Sequence, residues 1–322
     1  MPKDPSAVDD RFRSLLQKAV RRGHAELICT ISALIENLNI HSRAWFEKRA
    51  AFIVFSECWP LGREMVFTKR FSSKVAALIR VARAHKARDA TGLGFLAYAL
   101  AQGDASVLNL SADDRAVKLI AKATRHPVDF WEWVSTQGTD QRCQALVANA
   151  GRYREGGRPH DKAVVQAAAY LAVSTPLPDP TPAPAAVAPF PYWVVFDRHT
   201  SAGKRALRDV ARDLHIPLPQ LEWCFYYFEG AAANAETTSP WWQRYCQWHF
   251  ARVGMREEEA RLLWEPSRDQ IADALAEDGR RLQNDIYRWT LANREQVDAL
   301  KREVERFTSH IKDVPRDQSQ LF

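Results

Sequence analysis

Residues 266–312 read PSRDQIADALAEDGRRLQNDIYRWTLANREQVDALKREVERFTSHIK and decide the fold class. Pro266, Ser267 and Gln270 are typical of a helix start, because a serine cap followed three residues later by glutamine satisfies two free backbone amides. Apolar residues then recur every three or four positions, the period of a helix face. They are Ile286, Trp289, Val297, Leu300, Val304, Phe307 and Ile311. The pattern predicts one long amphipathic helix, in which Asn293 fills the single gap.

The apolar seam of this helix requires a partner helix, and two partners fit the same spacing. One is another helix of the same chain, and the other is a second copy of the chain. We expect a homo-oligomer, whose contact residues combine the seam with two arginines of the first helix. They are Arg21, Arg22, Trp289, Val297, Leu300, Val304 and Phe307.

The first half of the chain repeats the helical period in shorter pieces. A first helix is predicted to begin near Asp9 or Asp10 and to end at Gly23, a residue type that suits the left-handed conformation after a helix. A second apolar pattern over residues 27–38 predicts a helix hairpin. Further helices are predicted over residues 42–59, 73–102, 111–134 and 162–173.

A proline-rich segment divides the chain. Residues 174–191 read STPLPDPTPAPAAVAPFP, and prolines at this density hold the backbone extended. We predict a helical front domain over residues 1–173, a linker over 174–191 and a second, mostly helical domain over 192–322. The second domain opens with residues 192–196, YWVVF, the one run that favours a strand. The predicted fold class is all-α, with the long amphipathic helix at the end of the second domain.

Positive charge is concentrated in the front half of the chain. Residues 1–175 hold 26 lysines and arginines against 17 aspartates and glutamates, whereas residues 176–322 hold 19 against 22. Much of the excess lies in one run that Glu64 alone opposes. The run comprises Arg63, Lys69, Arg70, Lys74, Arg80, Arg83, Lys86 and Arg88. We predict sequence-nonspecific, salt-sensitive contact with DNA here, and the alternative is an ordinary solvated helix face.

The cysteine pattern indicates the compartment. Five cysteines are widely spaced and form no Cys-x-x-Cys pair, which favours buried free thiols in a reducing environment. Residues 1–10 are polar and acidic, and no later segment has the length and apolarity of a membrane span. We therefore expect a cytoplasmic protein.

Residues 196–205, FDRHTSAGKR, are the nearest approach to a phosphate-binding loop. The segment lacks the first glycine, and Arg205 stands where the magnesium-binding hydroxyl belongs. Asp197, His199 and Lys204 are suited to acid–base chemistry if they share a pocket, and the alternative is a capped helix start. Because no zinc-site, hydrolase or nuclease spacing accompanies them, we predict no catalytic residue, metal site or cofactor.

Three short motifs carry a family resemblance. Residues 15–23, LLQKAVRRG, enter the predicted hairpin, KRA at 48–50 leads to SE at 56–57, and AVVQAAAYLA occupies 163–172. In these motifs the front half resembles the helical carboxy-terminal region of the RarA/MgsA family of replication-associated recombination ATPases, relatives of the Werner-helicase-interacting protein and of clamp loaders. The resemblance implies a clamp-loader-collar-like module that forms oligomers, follows a AAA+ ATPase core and works at stalled forks and single-stranded DNA ends. It carries over no Walker motif.

These observations predict a non-catalytic accessory protein of DNA replication, recombination or repair that oligomerises and binds DNA or a AAA+ ATPase. One alternative is an enzyme with a site around Asp197, His199 and Lys204. Another is a protein-interaction adaptor that acts through the terminal helix.

Overall fold

The computed structural model describes residues 9–65, 68–109, 113–155, 157–236 and 239–309. Within these ranges every regular element is helical, and the β-type contacts are isolated bridges, so the predicted all-α fold class is confirmed. None of the helices in the described ranges is both long enough and apolar enough to cross a membrane.

The helices follow one another through short turns. The α-helices are α1 Asp10–Arg21, α2 Ala25–Glu36, α3 Ile40–Cys58, α4 Phe71–Ala82, α5 Asp89–Ala101, α6 Asp114–Arg125, α7 Pro127–Ser135, α8 Gln141–Arg152, α9 Pro159–Ser174, α10 Ser201–Asp213, α11 Leu218–Cys224, α12 Pro240–Arg252, α13 Glu257–Ala292 and α14 Arg294–Thr308. Short 3₁₀ helices cover Trp59–Met65, Ala105–Asn109 and Tyr192–Val195, and a π-helix covers Phe225–Gly230.

Backbone contacts group the chain into two compact units. Unit 1 spans Met1–Phe46, Ala183–Ala235 and His249–Phe322, and unit 2 spans Glu47–Pro182 and Glu236–Trp248. These bounds differ from the predicted division at residues 174–191, because each unit is assembled from segments that are far apart in the sequence.

Within unit 1, a buried ion pair connects α1 to the segment around residues 194–197. The Lys18 ammonium on α1 donates to the Asp197 carboxylate at 2.8 Å, to the Val194 carbonyl at 2.7 Å and to the Ser14 hydroxyl at 2.8 Å. Three acceptors satisfy the three protons of the ammonium, which offsets part of the cost of burying its charge. Spacing within the sequence gives no sign of such a long-range pair.

Residues 192–196 form a 3₁₀ helix over Tyr192–Val195 and not the predicted strand. α13 lies directly against this turn: a Cβ atom placed on Gly279 would come within 2.9 Å of the Trp193 amide nitrogen. The missing side chain at position 279 therefore permits the close approach of the two backbones. A short run of aromatic and β-branched residues favours a strand, but no second strand is available in the described chain to pair with it.

The terminal helix differs from its predicted form at both ends. α13 begins at Glu257 and carries Pro266 within it, and the helix breaks at Asn293 before α14 continues. Val297, Leu300 and Val304 of α14 are buried, and α14 packs against α2 in the same unit. The partner of this part of the seam is thus a helix of the same chain, and Ile311 lies outside the described residues.

Unit 2 is built around α5, which packs against both α6 and α9, while α8 packs against α9. The predicted helices over 73–102 and 111–134 are each interrupted. The first divides into α4 and α5, and the second divides into α6 and α7 because Pro127 disfavours a helical conformation at His126. The segment of unit 2 that follows residue 235 is fixed by the Ser239 hydroxyl, which donates to Asp89 at 2.7 Å.

Candidate functional site

Lys86 and Arg88 end the predicted basic run, and both are buried. The Lys86 ammonium donates to the carbonyls of Val81 and Ala84 at 2.9 and 2.8 Å, at the end of α4, where the helix dipole favours a cation. Burial nevertheless lowers the pKa of Lys86 to about 8. Arg88 forms an ion pair with the buried Glu57 at 3.1 Å. The prediction that these two side chains contact DNA is therefore wrong.

The remaining six members of the run lie at different depths in unit 2. Three pair with carboxylates: Lys74 with Glu47 at 2.8 Å, Arg80 with Glu64 at 3.1 Å and Arg63 with Glu64 at 3.5 Å. Arg83 is half-buried, and Lys69 and Arg70 are exposed ahead of α4. The run is thus no continuous basic face, and Lys69 and Arg70 are its accessible cations.

The residues of the predicted pocket lie around the start of α10, where the His199 amide donates to the Asp197 carboxylate at 2.9 Å. The Asp197 carboxylate accepts from Lys18, and although burial raises the pKa of Asp197, this ion pair outweighs burial and lowers the pKa below its ordinary value. An ionised, paired carboxylate is a poor proton donor. His199 and Lys204 are exposed, and Thr200 caps α10 by accepting from the Gly203 amide at 3.0 Å. These contacts fit the capped helix start, which is the alternative stated for this segment.

The two arginines predicted at an oligomer contact are engaged inside unit 1. Arg21 donates to the Gly230 carbonyl at 2.8 Å, and Arg22 donates to the Glu229 carboxylate at 2.8 Å. Arg268 approaches the same carboxylate at 3.2 Å. These contacts stabilise the π-helix that contains Glu229, so the prediction of an oligomer role for Arg21 and Arg22 does not match their environment.

The predicted seam is likewise used mainly within the chain. Val297, Leu300 and Val304 are buried against their own unit, which corrects their assignment to a contact between copies. Trp289 is half-buried, and Phe307 is 38% exposed. Only the last two therefore retain surface for another molecule.

A cleft in unit 2, here called the α6 cleft, is lined by cations that lie outside the predicted basic run of residues 63–88. Its volume is about 380 Å³. It is lined by Leu100, Leu108, Lys118, Ala121, Lys122, Arg125 and His126. No carboxylate is among these described lining residues, so their positive charge is not neutralised within the cleft.

Neighbouring helices hold the cationic end of α6 in place. The Arg125 guanidinium donates to the Ala101 carbonyl at 2.9 and 2.6 Å, and to the Leu100 carbonyl at 3.2 Å. These bonds satisfy carbonyl groups at the carboxy-terminal end of α5, where the helix itself supplies no donor. From α9, the buried Gln166 donates to the Ala123 carbonyl at 3.0 Å. The cleft wall is thereby fixed to both α5 and α9.

Lys118 and Lys122 lie one helical turn apart on α6, and both side chains are exposed. His126 is exposed at the corner between α6 and α7, where its amide donates to the Lys122 carbonyl at 2.8 Å and Pro127 follows. Ammonium, guanidinium and imidazole groups donate hydrogen bonds that phosphate oxygens accept. The arrangement can bind an anion.

The described lining of the cleft combines basic and apolar side chains. None of its described lining residues is a serine, cysteine, aspartate or glutamate. Across the described residues, no group of three or more histidine, cysteine or carboxylate side chains is arranged to hold a metal ion. The chemistry of the lining therefore supports the binding of an anion.

A sequence signal for this cleft exists. Arg115, Lys118, Lys122 and Arg125 are spaced by three, four and three residues, which places them along one face of a helix. Because Asp113 and Asp114 precede them, the segment has little net charge, and a search for dense charge overlooks it.

Comparison with known proteins adds no relative: no family model, no curated protein and no solved structure matches this chain.

Proposed function

We propose that this chain is a non-catalytic, cytoplasmic accessory protein of DNA replication, recombination or repair, and that the α6 cleft binds nucleic-acid phosphates. The observation that carries the proposal is the set of three cationic lining residues, Lys118, Lys122 and Arg125, with the His126 imidazole beside them and no carboxylate among the described lining residues. Contacts of this kind release counterions from a polyanion, so they give sequence-independent and salt-sensitive binding.

The division of charge between the units supports a polyanion as the ligand. Counted over the full sequence, unit 2 holds 20 lysines and arginines against 14 aspartates and glutamates, whereas unit 1 holds 25 of each. The formal charge of +6 thus belongs entirely to unit 2. Long-range attraction of a phosphate backbone is directed to the unit that contains the cleft.

The test is binding of fluorescently labelled DNA to the full chain, with Lys118→Glu and Lys122→Glu combined. We expect the double variant to bind at least tenfold more weakly. The matched control combines Arg205→Glu and Arg208→Glu, two exposed cations of α10 in unit 1, and should bind as the wild type does. Equal affinity of all three proteins would remove the α6 cleft from the proposal.

Lys69 and Arg70 form a second, smaller part of the proposed contact. Both are exposed in unit 2, and reversing both to glutamate is expected to weaken DNA binding less than the α6 reversals do. A larger loss than that of the α6 variant would move the main contact to this segment.

Oligomerisation and a AAA+ ATPase partner complete the proposal, on the strength of the motifs at residues 15–23, 48–57 and 163–172. Surface for such contacts is offered by Tyr287, Leu291 and Phe307, which are 62%, 56% and 38% exposed. Light scattering is expected to give a multiple of the 36.7 kDa chain mass, and co-elution with a purified RarA/MgsA-type ATPase is expected. A mass of one chain and separate elution would contradict these two points.

A further inference from the structure

The α6 cleft has an apolar floor as well as a cationic rim. Leu100, Leu108 and Ala121 line the cleft between the charged residues, and both leucines are half-buried. A site that contacts only a phosphate backbone has no use for such a floor, since phosphate and sugar are polar. The floor therefore indicates that the ligand has an apolar or aromatic part next to its charge.

A nucleic-acid duplex does not present such a part. Its bases are stacked inside the helix, and the surface that meets a protein cleft is the charged backbone. An unpaired nucleotide exposes the face of its base. Proteins hold such a base against aromatic or apolar side chains, and a cationic groove binds the backbone beside it.

The size and rigidity of the cleft agree with a small, bound group. Its volume of about 380 Å³ is near the lower end of the usual range for small-ligand sites, roughly 300 to 1,000 Å³. The hydrogen bonds from Arg125 to α5 hold the rim in place before any ligand arrives. A preformed site loses little conformational freedom on binding.

We infer that the α6 cleft seats one unpaired nucleotide of a single-stranded nucleic acid, with the base on Leu100, Leu108 and Ala121. The adjoining phosphate lies among Lys118, Lys122 and His126. This inference rests on the proposed function, because it names the strand form that the proposed phosphate contact recognises.

The test separates the contribution of the bases to the binding affinity from that of the phosphates. The full-length protein is titrated with three labelled probes of equal length: oligothymidylate, an abasic deoxyribose-phosphate chain and a duplex. We expect oligothymidylate to bind at least fivefold more tightly than the abasic chain, which has the same charge but no bases. Removal of one base–aromatic stacking contact costs roughly 1 to 3 kcal/mol, about 5- to 150-fold in affinity, and the expected difference lies at the lower end of that range because the floor is aliphatic.

A substitution in the floor provides the second arm. Leu108→Ser removes apolar surface without changing charge and is expected to weaken oligothymidylate binding about fivefold while duplex and abasic binding stay constant. The matched control is Leu262→Ser, an exposed leucine of α13 in unit 1, which should leave all three affinities unchanged.

The outcomes distinguish this inference from the proposed function. If no probe binds at low salt, the proposed function fails. If the three probes bind alike, or if Leu108→Ser leaves oligothymidylate binding unchanged, DNA binding stands and the seated nucleotide is overturned. Binding to anionic phospholipid vesicles in place of oligothymidylate would overturn it as well, since a lipid also combines a phosphate with an apolar part.

Discussion

Arg88 shows how strongly one buried charge depends on its partners. Its side chain is 2% exposed, its Nε donates to Glu57 at 3.1 Å, its Nη1 donates to Glu236 at 2.9 Å, and its guanidinium lies 4.9 Å from the Trp242 ring centroid. Removing one partner of such a pair leaves a charge in a medium that solvates it poorly. The surroundings of Arg88 therefore stabilise unit 2 only as a complete set.

Glu57→Gln is expected to lower the free energy of unfolding by about 3 kcal/mol, because Arg88 keeps its charge and loses its fully buried partner. Urea denaturation followed by circular dichroism measures the change. Glu277→Gln serves as the control, since the Glu277–Arg281 pair of α13 is solvent-exposed and its loss should leave the midpoint unchanged. Equal midpoints for both variants would show that the Arg88 pair contributes no stability.

His249 makes the stability of unit 1 depend on pH in the acid range. Its ring stacks on Trp223 with centroids 3.5 Å apart, and its Nδ1 lies 2.6 Å from the Tyr227 hydroxyl. Burial, aided by the positive charges of Arg198 and Arg252, lowers the pKa of His249 to about 2. The unfolded chain therefore takes up a proton near pH 6.5 that the folded chain does not, and stability falls as the pH drops below that value.

His249→Phe keeps an aromatic ring and removes the titration. Between pH 7 and pH 5 the free energy of unfolding of the wild type should fall, with a slope from His249 of at most about 1.4 kcal/mol per pH unit, and the variant should fall less. Most carboxylates titrate below this window, so the difference between the two proteins isolates the histidine. As a control, the exposed His41 is replaced by Phe, and this variant should show the same slope of unfolding free energy against pH as the wild type. A common slope for all three proteins would contradict the assignment to His249.

Single residues were predicted well where their role is local. Thr200 caps α10, and Gly23 adopts a φ of 78° just after α1, as the sequence indicates. Roles that depend on distant residues were missed: nothing near Asp197 in the sequence reveals that Lys18, 179 positions away, neutralises it. The burial of Lys86 was missed for the same reason, since spacing alone does not say which face of a segment the rest of the fold covers.

Pro266 lies within α13 and removes one backbone hydrogen bond from that helix. Its ring is exposed, and it has no amide proton for the Leu262 carbonyl, which is why proline is typical of a helix start and rare within a helix. Pro266→Ala restores that hydrogen bond and is expected to raise the free energy of unfolding by about 1 to 3 kcal/mol. A denaturant midpoint that falls would mean that the proline ring, and not its missing proton, determines the local structure.

Helix existence was easier to predict than helix limits. The apolar period of α1 and α2 predicted both helices, because apolar residues at helical spacing are buried in each, among them Leu15 and Leu16 of α1 and Ile28 and Ile31 of α2. The π-helical form of Phe225–Gly230 gave no signal, since four consecutive aromatic residues, 225–228, leave no alternation of apolar and polar positions from which to read a period. The α6 cleft falls between these cases: its cations share a visible face of one helix, but its floor comes from α5 and the turn that follows it.

The two units could not be foreseen from the proline-rich segment. Prolines predict an extended backbone, and residues 174–191 are not helical after Ser174, but extension does not determine which surface the segment packs on. In the structure the His85 amide donates to the Thr181 carbonyl at 2.8 Å, which attaches this segment to unit 2. Assembly of a unit from distant segments is a property of the complete chain, and the charge difference between the units appears only after that assembly is known.

The concentration of charge in unit 2 leads to a prediction for the salt dependence of DNA binding. If Lys118 and Lys122 each neutralise one phosphate, Lys118→Gln combined with Lys122→Gln should reduce the slope of log affinity against log salt concentration by about 1 to 2. Arg205→Gln combined with Arg208→Gln removes the same charge from unit 1 and should leave the slope unchanged, which separates contact from net charge. A parallel change in both variants would mean that DNA responds to the total charge of the chain, and a loss confined to the first places the phosphates at α6.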